Sequence, residues 1–247
     1  NDLFERGRLL KEKVARSRFT VTISNYNKKY LAQQEASLYK IKIVRCGVNT
    51  QDYLFLSKTY WKQPLIIGSL GRLVEKKGMD DLIKATVILK QQGINFQLEI
   101  AGNGELKENL EQLVQNENIT EQVIFKGKLE HHQVFSWLET LDLFVLACKS
   151  DQNGDQDGIP VVLMEAMMMG VPVVSTKISG IPELILDPEL GNLALPNHPS
   201  SLADAITRYY HESAILETTQ KARQHILKEF DQAVNIQRLI HLFEAET

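Results

Sequence analysis

Residues 157–174 read Asp-Gly-Ile-Pro-Val-Val-Leu-Met-Glu-Ala-Met-Met-Met-Gly-Val-Pro-Val-Val. The stretch spells one buried helix followed by one buried strand. Pro160 suits the first helical position, where its fixed φ and missing N–H do no harm. The apolar run then continues to Met169, and Gly170 stops it. Residues 172–175 follow as a short strand rich in β-branched side chains. One carboxylate, Glu165, interrupts this apolar segment in the second turn of the helix. Its helical neighbours three and four positions away are Val161, Val162, Met168 and Met169, so no face is polar enough for an ordinary solvated Glu. Burying an unpaired carboxylate costs several kcal/mol or forces its protonation. Glu165 is therefore expected to face a cavity or a ligand. The competing expectation is a core Glu paired to a nearby Lys or backbone N–H.

Outward from this unit the same grammar repeats. Short β-rich runs occur at 65–70, 96–101, 123–125, 143–147 and 172–175, and more weakly at 193–195. Between them lie amphipathic stretches at 78–91, 104–115, 131–140 and 160–169. Strands alternating with helices predict an α/β domain with a doubly wound parallel sheet, Rossmann-like in architecture. From Pro199 to Phe243 the periodicity is helical and breaks near Glu212 and Phe230, which predicts two or three closing helices.

Residues 1–48 look like a different piece. Leu3, Gly7, Leu10 and Val14 form a helical stripe, 19–23 a strand, Ser24 an N-cap for a second helix, and 41–44 another strand. The first helix carries Arg6, Arg8, Lys11, Lys13 and Arg16, with Arg18 nearby, against Glu5 and Glu12. A peripheral membrane contact is one reading of that basic face, and a solvated face is the commoner one. The expected division is 1–48 as the end of one domain plus linker, 49–230 as the Rossmann-like domain, and 231–247 as a closing helix.

Composition narrows the function classes. With 247 residues, 43% hydrophobic and 24% charged, the chain resembles an ordinary soluble globular protein. Its net charge of −3 gives no global attraction to nucleic acid. Cys46 and Cys148 lie far apart and form no metal or redox motif, which suits a reducing cytosol. The longest apolar run is broken by Glu165, Gly170 and two prolines, so no membrane span is expected. The chain starts at Asn1 rather than Met, and an N-terminal portion is expected to be missing.

In an open parallel sheet, ligands bind beyond the carboxyl ends of the strands. The loops there are Gly71-Arg72-Leu73-Val74-Glu75-Lys76-Lys77-Gly78, Gly102-Asn103-Gly104-Glu105, Lys126-Gly127-Lys128-Leu129, and the long loop ending at Asp157-Gly158-Ile159-Pro160. Arg72 supplies a planar fork and Lys77 a point charge, and the N-terminus of the helix at Val161 offers a positive dipole end. Together they suit a diphosphate. Segment 153–158 superficially matches a calcium loop. Counting from Asn153, however, puts Met164 where the twelfth-position Glu belongs, and counting from Asp151 puts Val162 there. His131 and His132 point to different faces of their helix. No metal is expected.

These residues carry a family resemblance. Gly-Arg-Leu-Val-Glu-Lys-Lys-Gly-Met-Asp-Asp-Leu-Ile-Lys-Ala at 71–85, Asp-Gly-Ile-Pro-Val-Val-Leu-Met-Glu-Ala-Met at 157–167 and Gly-Ile-Pro-Glu-Leu at 180–184 resemble glycosyltransferase family 4. These are retaining enzymes of the GT-B fold, in which two Rossmann-like domains face each other across a cleft. The match runs from about Ile41 to the tail.

The resemblance implies that Gly71, Arg72 and Lys77 meet the donor diphosphate and that Glu165 hydrogen-bonds the nucleotide ribose. It also implies that Asp157, Gly158 and Ile159 face the transferred sugar, with Pro160 and Val161 opening the helix beside it, and that Lys128 and Leu129 lie against the base. The implied donor is a nucleotide-diphosphate sugar, and the implied acceptor a saccharide or lipid-linked hydroxyl in polysaccharide or glycolipid assembly. Asp157 departs from the family's first Glu and would approach the sugar more closely. The family's opening strand and glycine-rich loop are not seen, so the chain resembles the donor half plus the last part of the acceptor half. A non-catalytic nucleotide-sugar binding module and a GT-B phosphorylase are the alternatives.

Overall fold

The computed structural model describes residues 9–34, 36–211 and 214–245. Its centre is a six-stranded, all-parallel sheet among the described residues, built from β3 (Leu65–Leu70), β4 (Phe96–Ala101), β5 (Val123–Gly127), β6 (Leu143–Val145), β7 (Val173–Thr176) and β8 (Asn192–Ala194), in the order β5-β4-β3-β6-β7-β8. Ile67, Leu98, Ile100, Leu143, Phe144, Val145, Val173 and Val174 are fully buried. A strand covered on both faces must be apolar on both, which is why these runs are continuous rather than alternating. Each such side chain contributes about 1.5–3 kcal/mol by leaving water.

Two helical layers do the covering. α3 (Met79–Gln91) packs with α4 (Lys107–Asn116) and α8 (Pro199–Tyr210), while α6 (Val161–Met169) packs with α5 (His131–Thr140) and α9 (Ile215–Glu229). The doubly wound expectation is met. Boundaries moved by small amounts. The strand expected at 143–147 ends at Val145, the helix expected from 104 starts at Lys107, and Pro160 is the N-cap of α6 rather than its first helical residue (φ −66°, ψ 125°). Extended ψ at Pro160 keeps its ring outside the helix. Gly170 closes α6 in the left-handed conformation (φ 77°).

A smaller unit precedes the sheet. α1 (Leu10–Arg16), β1 (Thr20–Thr22), α2 (Asn25–Gln33) and β2 (Ile41–Ile43) surround a separate cluster of Val14, Leu31, Ala36 and Ile41. β1 and β2 pair in parallel. Ser24 caps α2 as expected, its hydroxyl accepting from the Asn27 N–H at 3.1 Å. Leu3, Glu5, Arg6, Gly7 and Arg8 of the expected first helix, and the expected break at Glu212, lie outside the described residues. The chain then crosses to the sheet and comes back beside itself: Val48 bridges Asp231 in parallel, just before α10 (Gln232–Ala245). α10 reaches the smaller unit, where Phe243 stacks edge-on against Phe19 at 5.1 Å. A short helix, α7 (Ile181–Leu184), was not anticipated. Among the described residues, no helix is long and apolar enough to cross a membrane.

Candidate functional site

The order of strands reverses between β3 and β6, so the loops following these two strands flank the crevice where such sheets bind ligands. Backbone bonds lock the neighbouring loops together. Gly71 N–H donates to the Ala101 carbonyl at 3.0 Å, Leu73 N–H to Asn103 at 2.9 Å, and Gly102 N–H to Gly127 at 2.7 Å. The loops approach closely enough to demand glycine. A Cβ on Gly78, which has φ +63°, would stand 1.8 Å from the Ala147 carbonyl oxygen. That contact brings the end of the β3 loop onto the end of β6.

Lys76 and Lys77, on a single 3₁₀ turn at Glu75–Lys77, both reach the loop after β6. Lys77 Nζ lies 2.6 Å from Asp157 Oδ2. Lys76 Nζ lies 2.5 Å from Asp155 Oδ2 and 3.8 Å from Asp157 Oδ1. Cys148 adds a weak thiol donor to Asp157 Oδ2 at 3.6 Å. Burial, and then the charge of Asp157, push the Cys148 thiol far up, so it stays a protonated donor. One residue on, Lys149 pairs with Asp80 at 2.7 Å and Asp81 at 3.1 Å at the start of α3. Burial works against its charge, but the two carboxylates prevail and raise its pKa. Sequence reasoning picked out Lys77 and Asp157 and missed Lys76, Asp155 and Cys148. The only available signal was their adjacency.

The loop at 151–158 is tied partly by its own side chains. Asp151 Oδ1 accepts the N–H groups of Asn153 at 2.9 Å and Asp155 at 2.8 Å. Among the described residues, no cluster of three His, Cys, Asp or Glu could hold a metal.

Glu165 sits apart from this pair, and no hydrogen bond or ion pair joins them among the described residues. Of the nine residues of α6, seven are buried; the others are Val161, 44% exposed, and Glu165, half-buried one turn further on. These two form a single open stripe. The Tyr53 phenol donates to Glu165 Oε1 at 3.3 Å. Tyr53 stacks edge-on against Phe135 at 5.2 Å, and His131 meets the same ring at 5.1 Å. Burial raises the Glu165 carboxyl above the ordinary range, with the Tyr53 hydrogen bond and the His131 charge pulling the other way. The Tyr53 phenol is raised too, by burial first and then by Glu165. The partner of Glu165 is thus a phenol 112 positions upstream, neither the Lys nor the backbone N–H of the core alternative.

The remaining expected residues are more dispersed. Arg72 is exposed and makes no ion pair among the described residues. Lys128 is exposed and pairs with Glu130 at 3.0 Å, and Leu129 is half-buried against the core. Gly158 abuts the smaller unit, since a Cβ there would lie 2.9 Å from Ile23 Cδ1, and buried Ile159 packs on Gly180. Glu183 on α7 was missed as an anchor. Its carboxylate accepts from Asn25 N–H at 2.9 Å, Tyr26 N–H at 2.8 Å and Arg45 Nη1 at 3.1 Å.

Residues 57–228 match the family model described as glycosyl transferases group 1. The amylovoran biosynthesis glycosyltransferase AmsK of Erwinia amylovora is 35% identical over 206 residues, covering 83% of this chain and 51% of that protein. The putative colanic acid biosynthesis glycosyltransferase WcaL of Escherichia coli K12 is 34% identical over 208 residues, with the same two coverages. The chain spans about half the length of the curated relatives it matches. Among solved structures, a mutant of Staphylococcus aureus TarM, in complex with fondaparinux, α-GlcNAc-glycerol and UDP, superposes with a TM-score of 0.81 at 19% identity, over 96% of this chain and 46% of that one. Anabaena HepE, in complex with UDP and glucose, gives 0.80 at 19%, over 96% and 66%. The structural likenesses carry the GT-B type fold, and the sequence match carries the lineage. The chain belongs to the group 1 glycosyl transferases.

Proposed function

We propose that this chain is the donor-binding half of a retaining glycosyltransferase that moves a sugar from a nucleotide diphosphate to an acceptor hydroxyl in polysaccharide assembly. The observation that carries the reading is the meeting of Lys77 and Asp157 at 2.6 Å at the topological switch point of the sheet, beside the N-terminus of α6. Pro160 provides no side-chain acceptor there, so the first N–H groups of α6 keep their pull on an anion. Lys77, Arg72 and this helix end would neutralise charge developing on the leaving diphosphate. Asp157 and the backbone at Gly158 and Ile159 would hold the sugar. Glu165 on the open stripe of α6 would accept the ribose hydroxyls, which suits a carboxylate whose own burial penalises its charge. The naming of AmsK for amylovoran biosynthesis and of WcaL for colanic acid biosynthesis supports a saccharide acceptor.

Calorimetric titration with UDP, GDP and ADP tests the reading. Binding of one nucleotide, weakened at least tenfold by Glu165→Ala and by Lys77→Ala in folded variants, is the expected result. Failure to bind any of the three would overturn it. Binding without turnover of any nucleotide sugar in the presence of acceptors would favour the non-catalytic module instead.

A further inference from the structure

Lys76 and Asp155 form an ion pair whose side chains are each only 5% exposed. Such a pair is no cheap source of stability, since taking two charges out of water offsets most of their attraction, and an apolar pair of similar volume often serves as well. Its placement is more informative than its energy. Each member is one or two residues from a member of the Lys77–Asp157 pair, and Lys76 also stands 3.8 Å from Asp157 Oδ1. The surrounding loop is clipped to the same turn by backbone contacts: Lys149 N–H donates to the Lys76 carbonyl at 3.0 Å and Gln152 N–H to Glu75 Oε2 at 3.1 Å.

Resting on the donor-site reading above, we infer that Lys76, held by Asp155, is a positioning residue that keeps Asp157 in place as a counter-ion when a diphosphate draws Lys77 away. Lys77 cannot serve a phosphate and Asp157 equally at full strength. A phosphate oxygen arriving on Lys77 Nζ competes with Asp157 Oδ2, and the carboxylate it displaces would repel the diphosphate. Lys76 resolves the conflict because its ammonium, anchored on Asp155, already stands 3.8 Å from the far oxygen of Asp157. Asp155 supplies the anchor that stops Lys76 from swinging to the phosphate itself. Two adjacent lysines thereby divide the work, one toward the ligand and the other toward the acid.

The test replaces the buried pair by apolar groups, Lys76→Met with Asp155→Leu, and measures affinity for whichever of UDP, GDP and ADP the unaltered protein binds, beside the corresponding nucleoside. The double variant should stay folded, bind the diphosphate at least tenfold more weakly, and bind the nucleoside unchanged. Adding Asp157→Asn should then restore most of the diphosphate affinity, because no carboxylate competes for Lys77. Unchanged affinity in the double variant, or a loss that Asp157→Asn does not repair, would overturn the inference. If the double variant melts too low to assay, Asp157→Asn alone decides. It should bind the diphosphate at least as tightly as the unaltered protein, and weaker binding counts against the inference. An unaltered protein that binds no nucleotide defeats the donor-site reading itself, a result distinct from all of these.

Discussion

The carboxylate of Glu183 takes both the backbone N–H of Asn25, at 2.9 Å, and its side-chain amide, at 3.0 Å, across 158 positions of sequence. A residue of α7 thereby caps the helix α2 of the smaller unit. Arg45 completes the arrangement, pairing with Glu183 while its guanidinium lies over the Phe230 ring at 5.1 Å.

Replacing Glu183 by Ala should destabilise the protein by about 1–3 kcal/mol, because two backbone donors and a guanidinium lose their acceptor. The pH dependence has a definite sign. Burial opposes the Glu183 charge, but the Asn25 and Tyr26 N–H groups, the Asn25 amide and Arg45 outweigh it, so its pKa lies below the ordinary carboxylate value. Its stabilisation is therefore fully present above the unfolded pKa and fades as pH falls through the depressed folded value. Thermal melts of both proteins from neutral pH into acid should converge. A gap that stays constant would exclude the ionic cap.

Glu165 should behave in the opposite sense. Its carboxyl is raised, chiefly by burial, so the ionised form penalises folding at neutral pH and protonation relieves that penalty as pH falls through the raised value. Glu165→Gln is expected to stabilise the unliganded protein near neutrality. A gain of about 1 kcal/mol would raise the melting midpoint by roughly 2–4 °C for a chain of this size. The gain should shrink below the ordinary carboxylate range. Nucleotide affinity should fall in the same variant, and a variant that lost stability while keeping affinity would return Glu165 to the core.

Two glycines separate backbone strain from crowding. Gly78 and Gly93 both have positive φ, +63° and +78°, but a Cβ on Gly93 meets nothing within 4 Å, whereas one on Gly78 strikes the Ala147 carbonyl. Gly93→Ala should cost about 1–2 kcal/mol from the left-handed conformation alone. Gly78→Ala should cost clearly more and should also weaken nucleotide binding by displacing Lys77. Urea unfolding of the two variants makes the comparison, and equal losses would mean that the β3 and β6 loops yield easily.

Lys58 lies in a cavity of about 160 Å³ lined also by Lys62, Glu139 and Asp142, with Nζ 3.4 Å from the Glu139 carbonyl. Burial pushes its ammonium down to about 8, against the attraction of Asp142. The folding penalty on the charged amine is thus full below that pH and is relieved as pH rises through it. Lys58→Met should stabilise the protein at neutral pH, with a smaller effect in alkali. NMR titration of methylated lysines should show one resonance moving near pH 8; if all move together in the ordinary lysine range, the assignment fails.

Much of the fold was legible because burial on both faces forces continuous apolar runs: β3, β4 and α5 fall where their periodicity put them. Gly170 marked the end of α6 for a backbone reason that any sequence displays. Lys77, Asp157 and Glu165 stood out because charge in an apolar or glycine-rich setting is conspicuous. Tyr53, Asp155 and Glu183 did not, since each is an unexceptional residue locally and acquires meaning only from a partner 79 to 158 positions away. The short helix α7 was hidden for a related reason, as four residues carry too little periodicity to register.

The single open stripe of α6 constrains how this protein can change. With seven of its nine side chains packed into the interior, a substitution there registers first as a loss of stability, whatever it does to a ligand. Of the nine, only Val161 and Glu165 can vary without unpacking the interior, and Glu165 already accepts from the Tyr53 hydroxyl. Divergence in what the crevice accepts would therefore have to come through the loops around α6, while the helix itself stays nearly invariant as a fixed rail along which those loops are re-cut.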